Sequence, residues 1–364
     1  MNTFAQYVST WKSVPRFRLS FVLLAGMVGA LGWLIVISVG IGAVSISPGQ
    51  VLAIILDSIG ISTGWAYEPV QQSILMNIRL PRVILAVIVG AALAISGAAM
   101  QGLFRNPLAD PGLIGVSSGA ALSTAVAMVV LSSLTLPLIQ FLGTALIPIA
   151  AFAGGTSATI LVYRLSTVNG KTNVATMLLA GIAINAMAGA LIGFMIFLAD
   201  DDQLRDLTFW TLGSLGGAVW SSVWVVLPFL LAAIFYLPRL SKGLNTILLG
   251  EAEARHLGVR VERLKKIIIV FVGLAVGAAV SVSGMIGFVG LVVPHILRLW
   301  IGPDHRFLMP GSAILGGFLL LGSDLVARTM VSPAELPIGV ITASIGAPFF
   351  LWLLLRNREI GGYL

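Results

Sequence analysis

The residues that could do chemistry are concentrated in one polar segment, "GEAEARHLGVRVERLKK", at residues 250–266. Eight of the chain's 35 formally charged residues (21 basic, 14 acidic) fall in it, although only 10% of the chain is charged. Glu251 precedes Arg255 by four residues, the favourable order for an ion pair on one helical face. Gly258 suits the position just beyond a helix C-terminus. The spacing therefore predicts a short helix over residues 250–256.

A second helical turn is predicted over residues 261–266, where Glu262 precedes Lys266 by four residues. Two short helices with paired charges would make a suitable surface for docking of another protein. A solvated charged loop is the alternative, and the spacing alone does not decide between the two.

Three arginines form a second candidate group, Arg79 and Arg82 in "RLPR", and Arg328. Each lies at the end of an apolar run, and an exposed guanidinium pairs well with a carboxylate. The group predicts a patch for an acidic partner or an anionic solute. The alternatives are an internal pair between Arg328 and Asp324, four residues earlier, and anchoring of Arg79 and Arg82 to lipid headgroups. These alternatives stay open.

The motifs give no support to nucleotide or metal binding. "NGKT" at residues 169–172 ends like a P-loop, but Leu165 stands where that motif requires glycine. ATP chemistry would therefore belong to another subunit, and this loop lies where a cytoplasmic gate could sit. The chain has no cysteine, and its three histidines share no metal-ligand spacing. They are His256, His295 and His305.

The elements that must position these groups are membrane-spanning helices. Hydrophobic residues make up 58% of the 364 residues and the mean hydropathy is +1.04. Charged residues make up only 10% of the chain, whereas they make up about 25% of a soluble protein. Apolar runs of about 20 residues, long enough to cross a bilayer, recur along the chain. The sequence predicts an all-α polytopic membrane protein with one transmembrane domain over residues 19–356. Its ten predicted spans are 19–44, 82–103, 112–134, 142–163, 173–199, 221–240, 267–283, 284–301, 308–330 and 338–355.

The distribution of basic residues predicts the orientation. With ten spans, 17 of the 21 Lys and Arg lie on the inner side, in agreement with the positive-inside rule. The same rule explains the net charge of +7 without nucleic acid as a partner. A nine-span alternative, with one kinked helix across Gly284, would place Arg356 and Arg358 outside. The ten-span arrangement predicts cytoplasmic tails at residues 1–18 and 357–364.

An internal repeat and the scarcity of charge inside the spans favour an externally powered transporter. "GAALAISG" begins at Gly90 and "GAAVSVSG" at Gly277, and the two would run in opposite directions, as in the inverted repeats of many transporters. Chance similarity of Gly/Ala-rich helices is the alternative. Asp324 and Asn185 are the main polar residues within the spans, which counts against an ion-coupled secondary transporter. The spans also lack the paired carboxylates or clustered histidines of a membrane enzyme.

Four long motifs, in order, resemble a known family: "RLPRVILAVIVGAALAISGAAMQGLFRNPLADPGLIGVSSGAA", "LGEAEARHLGV", "SGMIGFVGLVVPHILRLWIGPDHR" and "AELPIGVITASIGAPFFLWLL". They resemble the permease subunit of bacterial importers for iron chelates, haem and cobalamin, the type II ABC importers, over residues 46–356. The resemblance implies a permease homodimer in the inner membrane, two ATP-binding subunits that hold ATP and Mg, and a periplasmic solute-binding protein. It implies that this chain itself binds no cofactor and is not an enzyme.

The resemblance also implies roles for individual residues. The segment at residues 241–266 would be the coupling loop that transmits ATP-driven closure of the ATPase subunits. "RNPLADPGLIG" and "ARTMVSPAELPIG" are most similar to haem importers, so haem is the expected cargo, with ferric siderophores or cobalamin as the alternative. The implied residues are Glu251, Ala254, Arg255, Leu257 and Gly258 for coupling, Thr172, Asn173, Val174 and Ala175 for the cytoplasmic gate, and Arg79, Arg82 and Arg328 for docking of the binding protein.

Overall fold

The computed structural model describes residues 16–42, 44–62, 64–133 and 137–359, and nearly all of these residues are helical. A two-stranded antiparallel hairpin, β1 (Thr167–Val168) and β2 (Lys171–Thr172), interrupts the helices. Within the described ranges the α-helices are α1 (Arg16–Gly40), α2 (Pro48–Ser58), α3 (Pro69–Ile74), α4 (Leu80–Phe104), α5 (Val116–Val129), α6 (Pro137–Leu142), α7 (Leu146–Ser166), α8 (Val174–Leu198), α9 (Asp201–Leu212), α10 (Trp220–Tyr236), α11 (Ser241–Ile247), α12 (Glu251–His256), α13 (Val261–Ser283), α14 (Val289–Ile301), α15 (His305–Thr329) and α16 (Ile338–Glu359).

The apolar helices coincide with the predicted spans. Among the described residues, seven helical stretches are long and apolar enough to cross a membrane, and three shorter apolar helices, α5, α14 and α16, lie where further spans were expected. The chain is thus an all-α, multi-pass membrane protein. The count of ten spans and the inverted repeat stay predictions. The expected tails at residues 1–18 and 357–364 lie mostly outside the described residues.

Helix α4 forms the centre of the bundle, and glycines bring its neighbours close. Gly90 and Gly97 lie within the first "GAALAISG" motif, and they face Gly316 of α15 and Gly290 of α14. A Cβ at Gly97 would overlap the carbonyl oxygen of Gly290, and a Cβ at Gly90 would overlap that of Gly316. Small residues allow this backbone approach in membrane helices. The first copy of the repeat motif therefore has a packing role.

The second predicted span begins earlier than residue 82. Helix α3 continues through a π-helical turn, Leu75–Arg79, into α4, so the helix runs unbroken over Pro69–Phe104. Pro81 lacks an N–H group and its ring would crowd the preceding turn of an ideal α-helix. The wider π turn directly before it accommodates the proline. As a result, Arg79 and Arg82 lie inside a long helix rather than at its mouth.

The expected break at Gly284 is confirmed. Helix α13 ends at Ser283, and Gly284 has a φ of +66°, a conformation that favours glycine. Phe288 also has a positive φ, and α14 begins at Val289. One kinked helix across Gly284, on which the nine-span alternative relied, is therefore absent.

Candidate coupling and docking sites

The polar segment forms the short helix that its spacing predicts. Helix α12 spans Glu251–His256, and Arg255 Nη2 donates to Glu251 Oε2 over 3.5 Å. Gly258 follows the helix C-terminus with a φ of +84°, as a C′ glycine does. Ala254 is fully buried on the inner face of this helix, whereas Leu257, directly after the helix, is 65% exposed. The segment therefore presents an apolar side chain outwards from an anchored helix.

Beneath α12 lies a buried lysine, Lys265, with only 2% of its surface exposed. Its Nζ donates to Glu251 (2.8 Å) and to the carbonyl oxygen of Thr172 (2.8 Å), and it lies 3.6 Å from Glu262. The expected pair between Glu262 and Lys266 is wrong. Lys265 lies on the buried side of α13, so it attracts Glu262, which also accepts from Arg255 over 3.2 Å.

The expected gate residues lie against this cluster. The backbone N–H of Thr172 donates to Glu262 Oε2 over 2.9 Å, while its carbonyl accepts from Lys265. Asn173 caps α8 by accepting from the N–H of Thr176 over 3.1 Å. Val174 and Ala175 form the first residues of α8. We call Lys265, Arg255, Glu251, Glu262 and Thr172 the lysine clamp.

Sequence reasoning missed the hairpin and the lysine that hold the gate residues. Asn169 and Gly170 both have positive φ, and Asn-Gly is the strongest short signal for a two-residue hairpin. The sequence "NGKT" carries that signal, which a comparison with the P-loop motif does not use. Lys265 gave no such signal, because its partner Thr172 is 93 residues away.

The three arginines, here called the arginine cluster, lie at the other end of the bundle and are largely buried. Arg82 is 7% exposed. Its guanidinium pairs with Asp324, which is fully buried, at 2.9 Å and with Glu335 at 2.8 Å. This double pair joins α4 to α15 and to the loop before α16. The expected exposure of Arg82 is therefore wrong.

Arg79 and Arg328 also point into the protein. Arg79 donates to the carbonyl oxygens of Val39 and Gly40, each over 2.7 Å, and to that of Val44. Arg328 donates to Ile41 (2.8 Å) and to Ser38, and lies 3.6 Å from Asp324. The internal Arg328–Asp324 pair is thus present. These contacts replace the expected exposed patch, because the carbonyls at the end of α1 need donors. The docking role of the arginines stays a prediction.

Glu335 is the partly exposed member of this end, since 41% of its side chain remains accessible. The hydrogen bond from Arg82 lowers the pKa of the Glu335 carboxyl, burial raises it less, and the charges of Arg82 and Arg328 lower it further. Glu335 is therefore ionised and occupies a position that a carboxylate from outside could also reach.

Within the described part of the chain, no group of three or more His, Asp or Glu side chains is placed to hold a metal ion. The histidines lie apart. His295 packs against Phe349 and Phe350, while His305 contacts Asn245 Oδ1 over 2.8 Å. His256 ends α12.

Known proteins similar to this chain are transport proteins. The FecCD transport family matches residues 27–356. The chain is 45% identical to the hemin transport system permease protein of Yersinia pestis, over 95% of this chain and 97% of that protein. It is also 45% identical to the cobalamin import system permease protein of Halobacterium salinarum, over 79% and 75%. It superposes with a TM-score of 0.78 and 32% identity on a metal-chelate type ABC transporter in an inward-facing conformation, over 92% of this chain and 99% of that one.

Proposed function

The chain belongs to the FecCD transport family, and on that premise we propose that it is the permease through which an ATP-driven importer carries haem into the bacterial cytoplasm. Its role as a multi-pass permease of an ABC importer rests on the family and on its relatives. The cargo, the partner subunits and the orientation in the inner membrane are our proposal.

The observation that carries haem as cargo is the likeness to the hemin permease, which extends over 97% of that protein's length. The cobalamin permease of Halobacterium salinarum has the same identity over a shorter stretch, 79% of this chain. Cobalamin import is therefore the second candidate. A siderophore importer would be the same machine with another cargo.

The coupling segment at residues 241–266 supports docking of two ATP-binding subunits, one on each copy of the permease. Helix α12 buries its own Ala254 and is bound to Lys265 through Glu251, while Leu257, directly after the helix, is exposed. Exposed apolar side chains on a fixed frame are typical of protein interfaces. On this reading ATP and Mg bind to the partner subunits, and Glu251, Arg255 and Gly258 maintain the helix that those subunits push.

A homodimer is supported by helix α8. Its Gly189 and Gly193 have open space where a Cβ would stand, and large apolar side chains beside them, Met187 and Phe194 among these, are exposed. Small-xxx-small surfaces of this kind suit close helix packing in lipid. A second copy would place the cargo pathway between the two α8 helices, with the residues 172–175 at its inner end as the gate.

Growth of the host bacterium tests the cargo. A strain that lacks this chain should fail to grow with haem as the only iron source and should grow normally on ferric siderophores. An intact copy should restore growth on haem. Normal growth on haem with loss of cobalamin uptake would reject haem and favour the second candidate.

A further inference from the structure

We propose that the lysine clamp is the mechanical link between the coupling segment and the gate, with Lys265 and Glu262 as positioning residues. This inference rests on the proposed function, because it assigns to two further residues the transmission step of that importer. Both residues lie in the coupling loop at residues 241–266, but neither is among the individual residues that the family resemblance implies.

The first step of the argument is that Thr172 is held at both of its backbone polar groups. Its carbonyl accepts from Lys265 Nζ over 2.8 Å, and its N–H donates to Glu262 Oε2 over 2.9 Å. Thr172 is 4% exposed, so water does not replace these bonds freely. A two-point hold fixes both the position and the orientation of the peptide, whereas one bond would leave it free to rotate.

The second step is that the same lysine is bound to the coupling helix. Lys265 Nζ lies 2.8 Å from Glu251, the first residue of α12, and Arg255 near the end of α12 lies 3.2 Å from Glu262. The cluster contains two cations and two carboxylates and is therefore neutral. A push on α12 reaches Thr172 through charge-assisted hydrogen bonds, which are shorter and stronger than neutral ones.

The third step is that the clamp resists separation. Lys265 is almost wholly buried, and a buried ammonium that loses its carboxylate is left uncompensated at high cost. Movement of α12 away from Thr172 would remove the closer carboxylate, Glu251 at 2.8 Å, and leave only Glu262 at 3.6 Å. The favourable response is for the hairpin and the start of α8 to move together with α12.

The last step is that Thr172 continues directly into the gate. Asn173 caps α8, and Val174 begins it. The hairpin itself is tied by the Ser166 carbonyl, which accepts from the N–H of Asn173 over 2.9 Å. Displacement of Thr172 therefore displaces the N-terminus of α8 rather than a loose loop.

The test uses the complete importer in proteoliposomes, with its ATP-binding subunits and binding protein. Lys265→Met removes the ammonium and keeps the aliphatic stem. We expect ATP hydrolysis to stay within about twofold, whereas haem uptake per ATP should fall about tenfold, within the range of coupling between protein sites. Arg205→Met, at an exposed cation on α9 outside the coupling segment, is the control and should change neither quantity.

Two variants of Glu262 grade the effect. Glu262→Gln keeps an oxygen for the Thr172 N–H but loses the ionic attraction, so its coupling should lie between wild type and Lys265→Met. Glu262→Ala removes both and should match Lys265→Met. Equal coupling in Lys265→Met and Arg205→Met would overturn the link.

A distance measurement tests the proposed link independently of the proposed cargo. The chain has no native cysteine, so spin labels at Asn169→Cys in the hairpin and Ala252→Cys on α12 are selective. In the intact clamp their distance should be the same without nucleotide and with ATP trapped, because both elements move as one body. Lys265→Met should broaden or shift it between the two states. An unchanged distribution would overturn the link, whereas failure of wild-type haem uptake alone would overturn only the proposed function.

Discussion

The arginine cluster and the lysine clamp both bury cations against carboxylates, but they differ in their charge balance and in what they join. The clamp sets Lys265 and Arg255 against Glu251 and Glu262 and is neutral. The arginine cluster sets three arginines against two carboxylates, those of Asp324 and Glu335, and keeps one excess positive charge.

The difference in net charge predicts different roles for the two clusters: the clamp holds parts of the protein together, whereas the arginine cluster can also attract a charged surface. A neutral cluster exerts little field at a distance, so the clamp can transmit movement without drawing ligands to it. A cluster with excess charge still attracts a negatively charged surface, even though its arginines are already bonded inside the protein. Docking of an acidic binding protein at the arginine cluster thus stays a prediction.

The largest expected effect concerns Asp324, the buried carboxylate of the arginine cluster. Asp324→Asn leaves Arg82 and Arg328 without their shared counter-ion, and breaking a buried ion pair costs about 3–5 kcal/mol. The melting temperature of the purified protein should fall by several degrees. Asp206→Asn, an exposed carboxylate on α9, is the control and should leave it unchanged. Similar melting temperatures for both variants would contradict a structural role for the cluster.

An intermediate effect is expected at Leu257, which is exposed on the coupling segment. Leu257→Ser should change stability by no more than about 0.5 kcal/mol, as surface substitutions do. Binding of the Leu257→Ser permease to the ATP-binding subunit should weaken by about 2 kcal/mol, the loss expected for a central interface residue.

Titration calorimetry or co-purification measures that difference. Val168→Ser, at an exposed residue of the hairpin outside the coupling segment, is the comparison. If both substitutions weaken binding equally, the interface is wider than the coupling segment. If Leu257→Ser has no effect on binding, Leu257 is not part of the interface with the ATP-binding subunit.

The smallest effect is a pH dependence at Glu335. The pKa of Glu335 in the folded protein lies below the ordinary glutamate value. Its pairing with Arg82 therefore stabilises the protein fully at pH values above that ordinary pKa, and this stabilisation is lost as the pH falls through the lowered pKa. Wild type should exceed Glu335→Gln in stability at neutral pH by less than about 1 kcal/mol, since the pair is partly screened by solvent.

Unfolding curves recorded from neutral to acidic pH check this. The gap between wild type and Glu335→Gln should close on the acidic side. A constant gap at all pH values would show that the carboxylate charge contributes nothing to the pair.

Local signals predicted the fold well. The positions of the apolar helices, the short helix before Gly258 and the break at Gly284 depend on residues within one or two turns of each other, so the sequence pattern carries them. The hairpin of β1 and β2 also has a local signal in the sequence, Asn169-Gly170.

The environment of the charged residues could not be read in the same way. Arg82 meets Asp324 across 242 residues and Lys265 meets Thr172 across 93, and no periodicity reports such contacts. Reversing all three arginine charges would break their internal pairs and hydrogen bonds, so it would not test docking alone. Glu335 is the better position to probe.

The glycine contacts of α4 have a consequence for how the permease can change shape. Where Gly97 meets Gly290 and Gly90 meets Gly316, backbone lies on backbone, and no side chain can switch rotamer to let one helix slide past the other. Shear between packed helices needs such adjustments. Helices α4, α14 and α15 therefore behave as one rigid unit. The movements of a transport cycle must occur at other helix contacts, so these glycines decide which helices move together.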